Sequence, residues 1–198
     1  MGVPMKKILF VFLLLVSGIV NAFEIYALGT SNTNCKNVVR EKSFTVTLEN
    51  ILRSQGIAVT VTNGGIDGDK PIWMTNRLDS VLSNPKVKLV IFEPGPNERY
   101  KPYNTKYSAE VLSKLQKANM PTIYVGHRLI QSDDEARDMA QAFGAYYYGR
   151  WHDNVPIDRD HFQFDTGGTG HMSEGGCQLW ARHMSATVKQ VIEQLNLK

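Results

Sequence analysis

Apolar residues along this chain fall into two alternating patterns, short continuous runs and helical stripes. Glu24-Ile25-Tyr26-Ala27-Leu28 is a strand-like run, and Phe44, Leu48, Ile51 and Leu52 then share one helical face that Gly56 ends. Ile57 to Thr62 is β-branched and predicts a second strand. A short helix is expected over 72–82. Val87 to Phe92 is apolar enough to be a strand covered on both faces. A helix over 105–118 and a strand over 121–125 follow. Ser132-Asp133-Asp134-Glu135 opens another helix, with Ser132 as cap and Glu135 reaching back as in a capping box. That helix ends near Gly144. Residues 145–149 predict a fifth strand, and 150–170 read as irregular. The last helix runs from Ser173, with Trp180, Met184, Val188, Val191 and Leu195 on one stripe.

Repeated strand-helix-strand order predicts an α/β domain with a parallel sheet covered by helices on both faces. No repeat, low-complexity linker or second domain interrupts it. Ligands of such sheets bind beyond the carboxyl ends of the strands. Ser31, Gly65 and Asn97 fall just past the expected ends of strands one, two and three.

The N-terminus follows a different pattern. Lys6 and Lys7 precede the apolar stretch Ile8 to Val16, and Val20-Asn21-Ala22 offers the small residues a signal peptidase reads. Residues 1–22 are expected to be a signal peptide and 23–198 a single exported domain, periplasmic or secreted. The apolar stretch is short for a membrane span, so no stable membrane insertion is expected after cleavage. Losing Lys6 and Lys7 lowers Lys+Arg from 22 to 20 against 19 acidic residues. With so little net charge and no basic run, nothing suggests a nucleic-acid partner.

Ser31 carries the first candidate chemistry. It lies in Leu28-Gly29-Thr30-Ser31-Asn32-Thr33, on a glycine-loosened turn between the first strand and a helix, where α/β enzymes place a nucleophile. A serine hydroxyl needs a base within reach, and histidine suits because it titrates near neutrality. His171 is the candidate among five histidines, because it precedes a helix that Ser173 can cap and a last loop can return it to the strand ends. His127 follows the fourth strand and is a candidate substrate contact. His152 and His161 are expected at the surface, and His183 packed or solvated in the last helix. Residues 99–107 carry three tyrosines and three cations, so Arg99, Tyr100, Lys101 and Tyr103 are candidates for contacting an acidic or carbohydrate-like substrate. The plainer reading of that segment is an exposed polar loop.

Cys35 lies four residues after Ser31, and Cys177 six after His171. If Ser31 and His171 meet, the two cysteines are carried close together, and export permits a disulfide. The alternative is two buried thiols. Neither has the basic neighbours of a nucleophilic cysteine, and no Cys/His spacing resembles a zinc site. No metal or cofactor is expected.

Four blocks resemble the SGNH hydrolases, also called GDSL-type esterases. Gly29-Thr30-Ser31 stands where the family usually has Gly-Asp-Ser. Asn63-Gly64-Gly65-Ile66-Asp67-Gly68-Asp69 is similar to its Asn-Ala-Gly-x-x-Gly-Asp. Gly95-Pro96-Asn97-Glu98 resembles Gly-x-Asn-Asp, and His171-Met172-Ser173-Glu174-Gly175-Gly176 resembles the His-Pro-Asn-x-x-Gly that opens the last helix. The resemblance implies a flavodoxin-like three-layer α/β/α sandwich on a five-stranded parallel sheet. It implies a serine esterase, with Ser31 as nucleophile and His171 as base. The backbone N–H groups of Ser31 and Gly65 and the Asn97 amide would form the oxyanion hole. The family's acid normally lies three residues before the histidine, where this chain has Gly168. Asp165 is the candidate substitute, with a backbone carbonyl as the alternative. The implied substrate is a small-molecule or glycan acyl ester of short acyl length. An acyltransferase or a non-catalytic binding protein on the same scaffold are the other readings.

Overall fold

A computed structural model describes residues 22–164 and 170–197. The expected signal peptide lies outside the described residues except for Ala22. The central sheet has five parallel strands: β1 (Phe23–Gly29), β2 (Val59–Gly65), β3 (Val87–Phe92), β4 (Thr122–Gly126) and β5 (Tyr146–Arg150), in the order β2-β1-β3-β4-β5. Among the described residues six α-helices accompany them: α1 (Ser31–Asn34), α2 (Phe44–Ser54), α3 (Pro71–Leu82), α4 (Lys101–Lys117), α5 (Asp133–Ala142) and α6 (Glu174–Leu195). A two-stranded antiparallel ribbon of β6 (Phe162–Gln163) and β7 (His171–Met172) precedes α6.

Alternation in β1 splits the core into two layers. Ile25 and Ala27 face α2 and α6, where Phe44 stacks on Trp180 with ring centroids 3.8 Å apart. Leu28 faces the other layer with Met74, Leu78, Leu112 and Leu115 from α3 and α4. The central strand β3 is covered on both faces apart from Lys88. The Ser132–Glu135 capping box forms at the start of α5.

Two boundaries and one buried face differ from the sequence expectation. Strand β2 runs on through Asn63-Gly64-Gly65, because its ladder with β1 continues to the Gly29–Gly65 pair. Gly65 therefore ends the strand instead of following it. Helix α4 begins at Lys101, not Thr105. Pro102 suits a first helical turn, and the buried Asn104 amide donates to the carbonyls of Gly95 at 2.8 Å and Glu98 at 3.4 Å. On α6 the stripe residues Trp180, Met184, Val188 and Val191 are buried, but Leu195 is exposed, and Ile192 completes the packed face. Among the described residues no helix is long and apolar enough to cross a membrane.

Candidate active site

The site is assembled at the carboxyl ends of β1, β2 and β3. Leaving β1, the chain turns at Thr30, whose hydroxyl caps α1 by accepting from the Asn32 N–H at 3.3 Å. Ser31 is the first helical residue, so its N–H is one of the donors that a helix cannot satisfy internally. The turn closes at Cys35 in the left-handed conformation.

The turn is held by a carboxylate from the next strand. Glu93, directly after β3, is fully buried. Its Oε2 accepts from the Thr30 N–H at 3.1 Å, the Thr30 hydroxyl at 2.8 Å and the Thr33 hydroxyl at 3.2 Å. Its Oε1 accepts from the Asn32 amide at 3.1 Å. Burial pushes the Glu93 carboxyl above the usual carboxylate range, and these donors work against that rise. Sequence reasoning missed Glu93, although an acid ending an apolar strand run was a visible signal.

His171 reaches the serine from β7. Its Nε2 lies 2.9 Å from Ser31 Oγ, across 140 residues of sequence. Gln163, paired with His171 in the ribbon, stitches this strand to the nucleophile segment. Its Nε2 donates to the carbonyls of Lys36 and Met172 at 2.7 Å each, and its Oε1 accepts from Asn37 at 3.0 Å. The Ser173 hydroxyl caps α6, and a side chain at Gly176 would run into the His161 carbonyl. One turn into α6, Cys177 is disulfide-bonded to Cys35, with Cα atoms 6.3 Å apart. The bridge ties the end of the Ser31 turn to the helix that follows His171.

Partial burial holds the His171 pKa below its ordinary value; the nearby Lys36 cation adds to this and Asp67 opposes it. A neutral ring accepting the serine proton on Nε2 carries its own hydrogen on Nδ1. That Nδ1 is buried and has no hydrogen-bond partner among the described residues. Asp165 and Gly168 lie outside the described residues.

Gly65 packs against the back of the turn, where a Cβ would come within 2.7 Å of the Thr30 carbonyl oxygen. Its N–H donates to the Asn63 side chain at 2.9 Å, so this donor is engaged by its own strand. Asn97 donates from Nδ2 to the Asp69 carbonyl at 2.9 Å, which leaves the second amide hydrogen. Asp69 is itself clamped: two Arg77 nitrogens meet its Oδ2 at 3.0 and 2.6 Å, and Arg77 also donates to the Gly29 carbonyl at 3.2 Å. Arg77 thus links the end of β1 to the Asn97 loop, a role its helical position did not announce.

The other expected positions divide. Arg99 and Tyr100 are exposed at the start of α4. His127 is only 3 % exposed, stacked on Trp151 with centroids 5.7 Å apart, and it accepts the Leu129 N–H on Nδ1. Its ring is thus engaged by Trp151 and the Leu129 N–H at the end of β4. His152 is buried rather than at the surface, against Trp151 and Phe162. Burial lowers the His127 pKa to about 3 and that of His152 to about 4. Among the described residues no group of three His, Cys, Asp or Glu side chains is placed to hold a metal ion.

No protein-family profile matches the sequence. No curated protein is recognisably similar to it in sequence. Solved structures are similar in fold. The psychrotrophic esterase EstA from a Pseudoalteromonas species superposes with a TM-score of 0.75 at 16% identity, over 86% of this chain and 98% of that one. AlinE4, an SGNH-hydrolase family esterase, gives 0.61 at 24% identity over 87% and 98%. The acetyl xylan esterase AlAXEase gives 0.64 at 18% identity over 84% and 100%. The sheet order, the layers and these superpositions together give the chain the fold of the SGNH hydrolases.

Proposed function

We propose that this protein is an exported serine esterase that cleaves short acyl esters through an acyl-enzyme on Ser31. The carrying observation is the 2.9 Å approach of His171 Nε2 to Ser31 Oγ at the strand ends of an SGNH fold. His171 takes the hydroxyl proton as Oγ attacks the acyl carbon, then returns it to the leaving alcohol. Water, deprotonated by the same ring, releases the acid. The Ser31 N–H and the second hydrogen of Asn97 Nδ2 stabilise the oxyanion, and the Gly65 N–H joins them when Asn63 swings away. Asp165 is assigned to His171 Nδ1, because a buried N–H needs an acceptor and Asp165 is the nearest preceding carboxylate in the chain. Arg99 and Tyr100 contact the substrate at the rim. The Cys35–Cys177 bridge suits an oxidising compartment, which supports reading residues 1–22 as a secretion signal. That structural neighbours carry esterase names, one of them an acetyl xylan esterase, supports an acyl-ester substrate.

The test is hydrolysis of p-nitrophenyl acetate by the protein lacking residues 1–22. Ser31→Ala is expected to abolish turnover and labelling by a fluorophosphonate probe. Asp165→Asn is expected to lower kcat by roughly three to four orders of magnitude. Equal turnover by Ser31→Ala removes Ser31 from the mechanism. Unlabelled, inactive wild-type protein would instead make this a binding module.

A further inference from the structure

Three strongly exposed aromatic rings flank the loop that carries Asn97. Trp73 is 52%, Tyr100 58% and Tyr103 53% exposed. Tyr100 and Tyr103 meet edge to face with centroids 4.8 Å apart, and Tyr107 continues the row at 6.1 Å. Trp73 is connected to that row through a cation. Lys70 Nζ lies 5.6 Å over the Trp73 ring and 3.3 Å from Glu98, and Glu98 accepts the Tyr100 N–H at 3.3 Å. The Asn97–Asp69 hydrogen bond joins the same two loops. Asn104, buried under the first turn of α4, fixes the helix start that presents Tyr100 and Tyr103 outward.

Packing does not call for this shelf, since its rings face solvent while the core beneath is complete without them. An exposed aromatic patch marks a contact surface. Its charge narrows the ligand. Arg99 adjoins Tyr100 in the chain and Lys106 adjoins Tyr107, both exposed, and among the described residues neither forms an ion pair with a carboxylate, whereas the charge of Lys101 acts on Glu135 of α5. Lys106 instead lies 5.2 Å over the Tyr107 ring. Flat rings suit the apolar C–H faces of pyranose sugars, and cations suit carboxylates. A fatty acyl chain would ask for an aliphatic groove instead.

We infer that the Trp73–Tyr100–Tyr103 shelf binds a carboxylate-bearing sugar chain, so that the ester cleaved at Ser31 is an acyl group on an acidic glycan. The inference rests on the proposed esterase reading and names its substrate class. The sugar lies across the shelf, and the connected loops bring its acyl group to the Asn97 side of Ser31.

The experiment uses full-length Ser31→Ala protein, which cannot turn over the probe, and titrates chemically acetylated oligogalacturonate by calorimetry. Saturable binding that weakens with added salt is expected. An acetylated neutral xylo-oligosaccharide should bind about tenfold more weakly, the loss expected from a few exposed charge contacts. Adding Trp73→Ala and Tyr103→Ala should weaken oligogalacturonate binding about tenfold or more. Arg99→Gln with Lys106→Gln, which leaves every ring in place, should remove most of the salt dependence. Thermal unfolding checks that each variant is folded. Equal affinity for the neutral sugar overturns the acidic assignment. Unchanged affinity in both sets of variants overturns the shelf, as does co-sedimentation with phosphatidylglycerol vesicles without any sugar binding. Turnover of p-nitrophenyl acetate by wild type, with no sugar binding by Ser31→Ala, overturns the shelf and leaves the esterase reading intact. Sugar binding with an inert wild type overturns the esterase reading and leaves the shelf.

Discussion

Glu93 accepts both the backbone N–H and the hydroxyl of Thr30, the residue immediately before the nucleophile, at 3.1 and 2.8 Å. The two residues stand 63 positions apart, each just past the end of one of two neighbouring strands. The carboxylate therefore fixes the angle at which the chain leaves β1, and through it the placement of Ser31. Glu93→Ala strands four buried donors at about 1–3 kcal/mol each before relaxation. A fall in Tm of several degrees and a fall in kcat larger than any rise in KM are expected. Glu93→Gln returns an acceptor oxygen but turns an NH2 group towards hydroxyl and N–H donors, so it should recover only part of the loss. Wild-type kcat in a folded Glu93→Ala protein would show that the turn holds itself.

The active form of His171 is the neutral ring, so kcat/KM rises as pH rises through its pKa. Burial, helped by Lys36, lowers that pKa, while a carboxylate of Asp165 at Nδ1 raises it, so the acid limb of the profile reports the balance of the two. Lys36→Gln removes a cation that disfavours protonation and should move the limb up. Asp67→Asn removes an opposing anion and should move it down. A pH–rate series on p-nitrophenyl acetate reads both. Shifts of the same sign in the two variants would contradict this electrostatic account.

The Cys35–Cys177 bridge spans 142 positions, so it removes much freedom from the unfolded chain as well as tying α1 to α6. Replacing both cysteines by alanine should cost about 2–5 kcal/mol. For a domain of this size that corresponds to a Tm lower by about 5–15 °C. Activity should fall further than the folded fraction, since the Ser31–His171 approach loses its tie. A melting curve that does not change on substitution, with full activity, would show that the bridge restrains nothing.

His127 and His152 are kept neutral in the core, with pKa values near 3 and 4 against 6.5 for a free ring. Below pH 6.5 the unfolded chain takes up protons that the folded chain refuses. Their stabilisation is complete above that pH and is lost as pH falls towards 4 and then 3. The slope is about 1.4 kcal/mol per pH unit for each ring, so about 2 kcal/mol each is lost between pH 6.5 and 5. Urea unfolding at pH 7 and pH 5 measures the loss. His127→Gln, which keeps an acceptor for the Leu129 N–H, should remove about half of it. An unaltered pH difference in that variant would place the sensitivity elsewhere.

The periodicity of the chain by itself determined the layers and the strand sequence. Which face of a run is apolar is a local property, and strand-helix alternation leaves few topologies. The sequence also marked Ser31, Gly65, Asn97 and His171, because glycine-loosened turns at strand ends are recognisable within a few residues. It placed His152 at the surface, and the structure buries it. Burial of a loop histidine depends on what arrives from elsewhere, here Trp151 and Phe162. Only the tertiary structure decided that Glu93 holds the nucleophile turn, that Arg77 braces the Asn97 loop through Asp69, and that the aromatic shelf is connected to it. Each of these relations joins groups far apart in the chain. Hydrogen bonds and ion pairs act over about 3 Å, so no pattern within a window of sequence can encode which partners the fold will bring together.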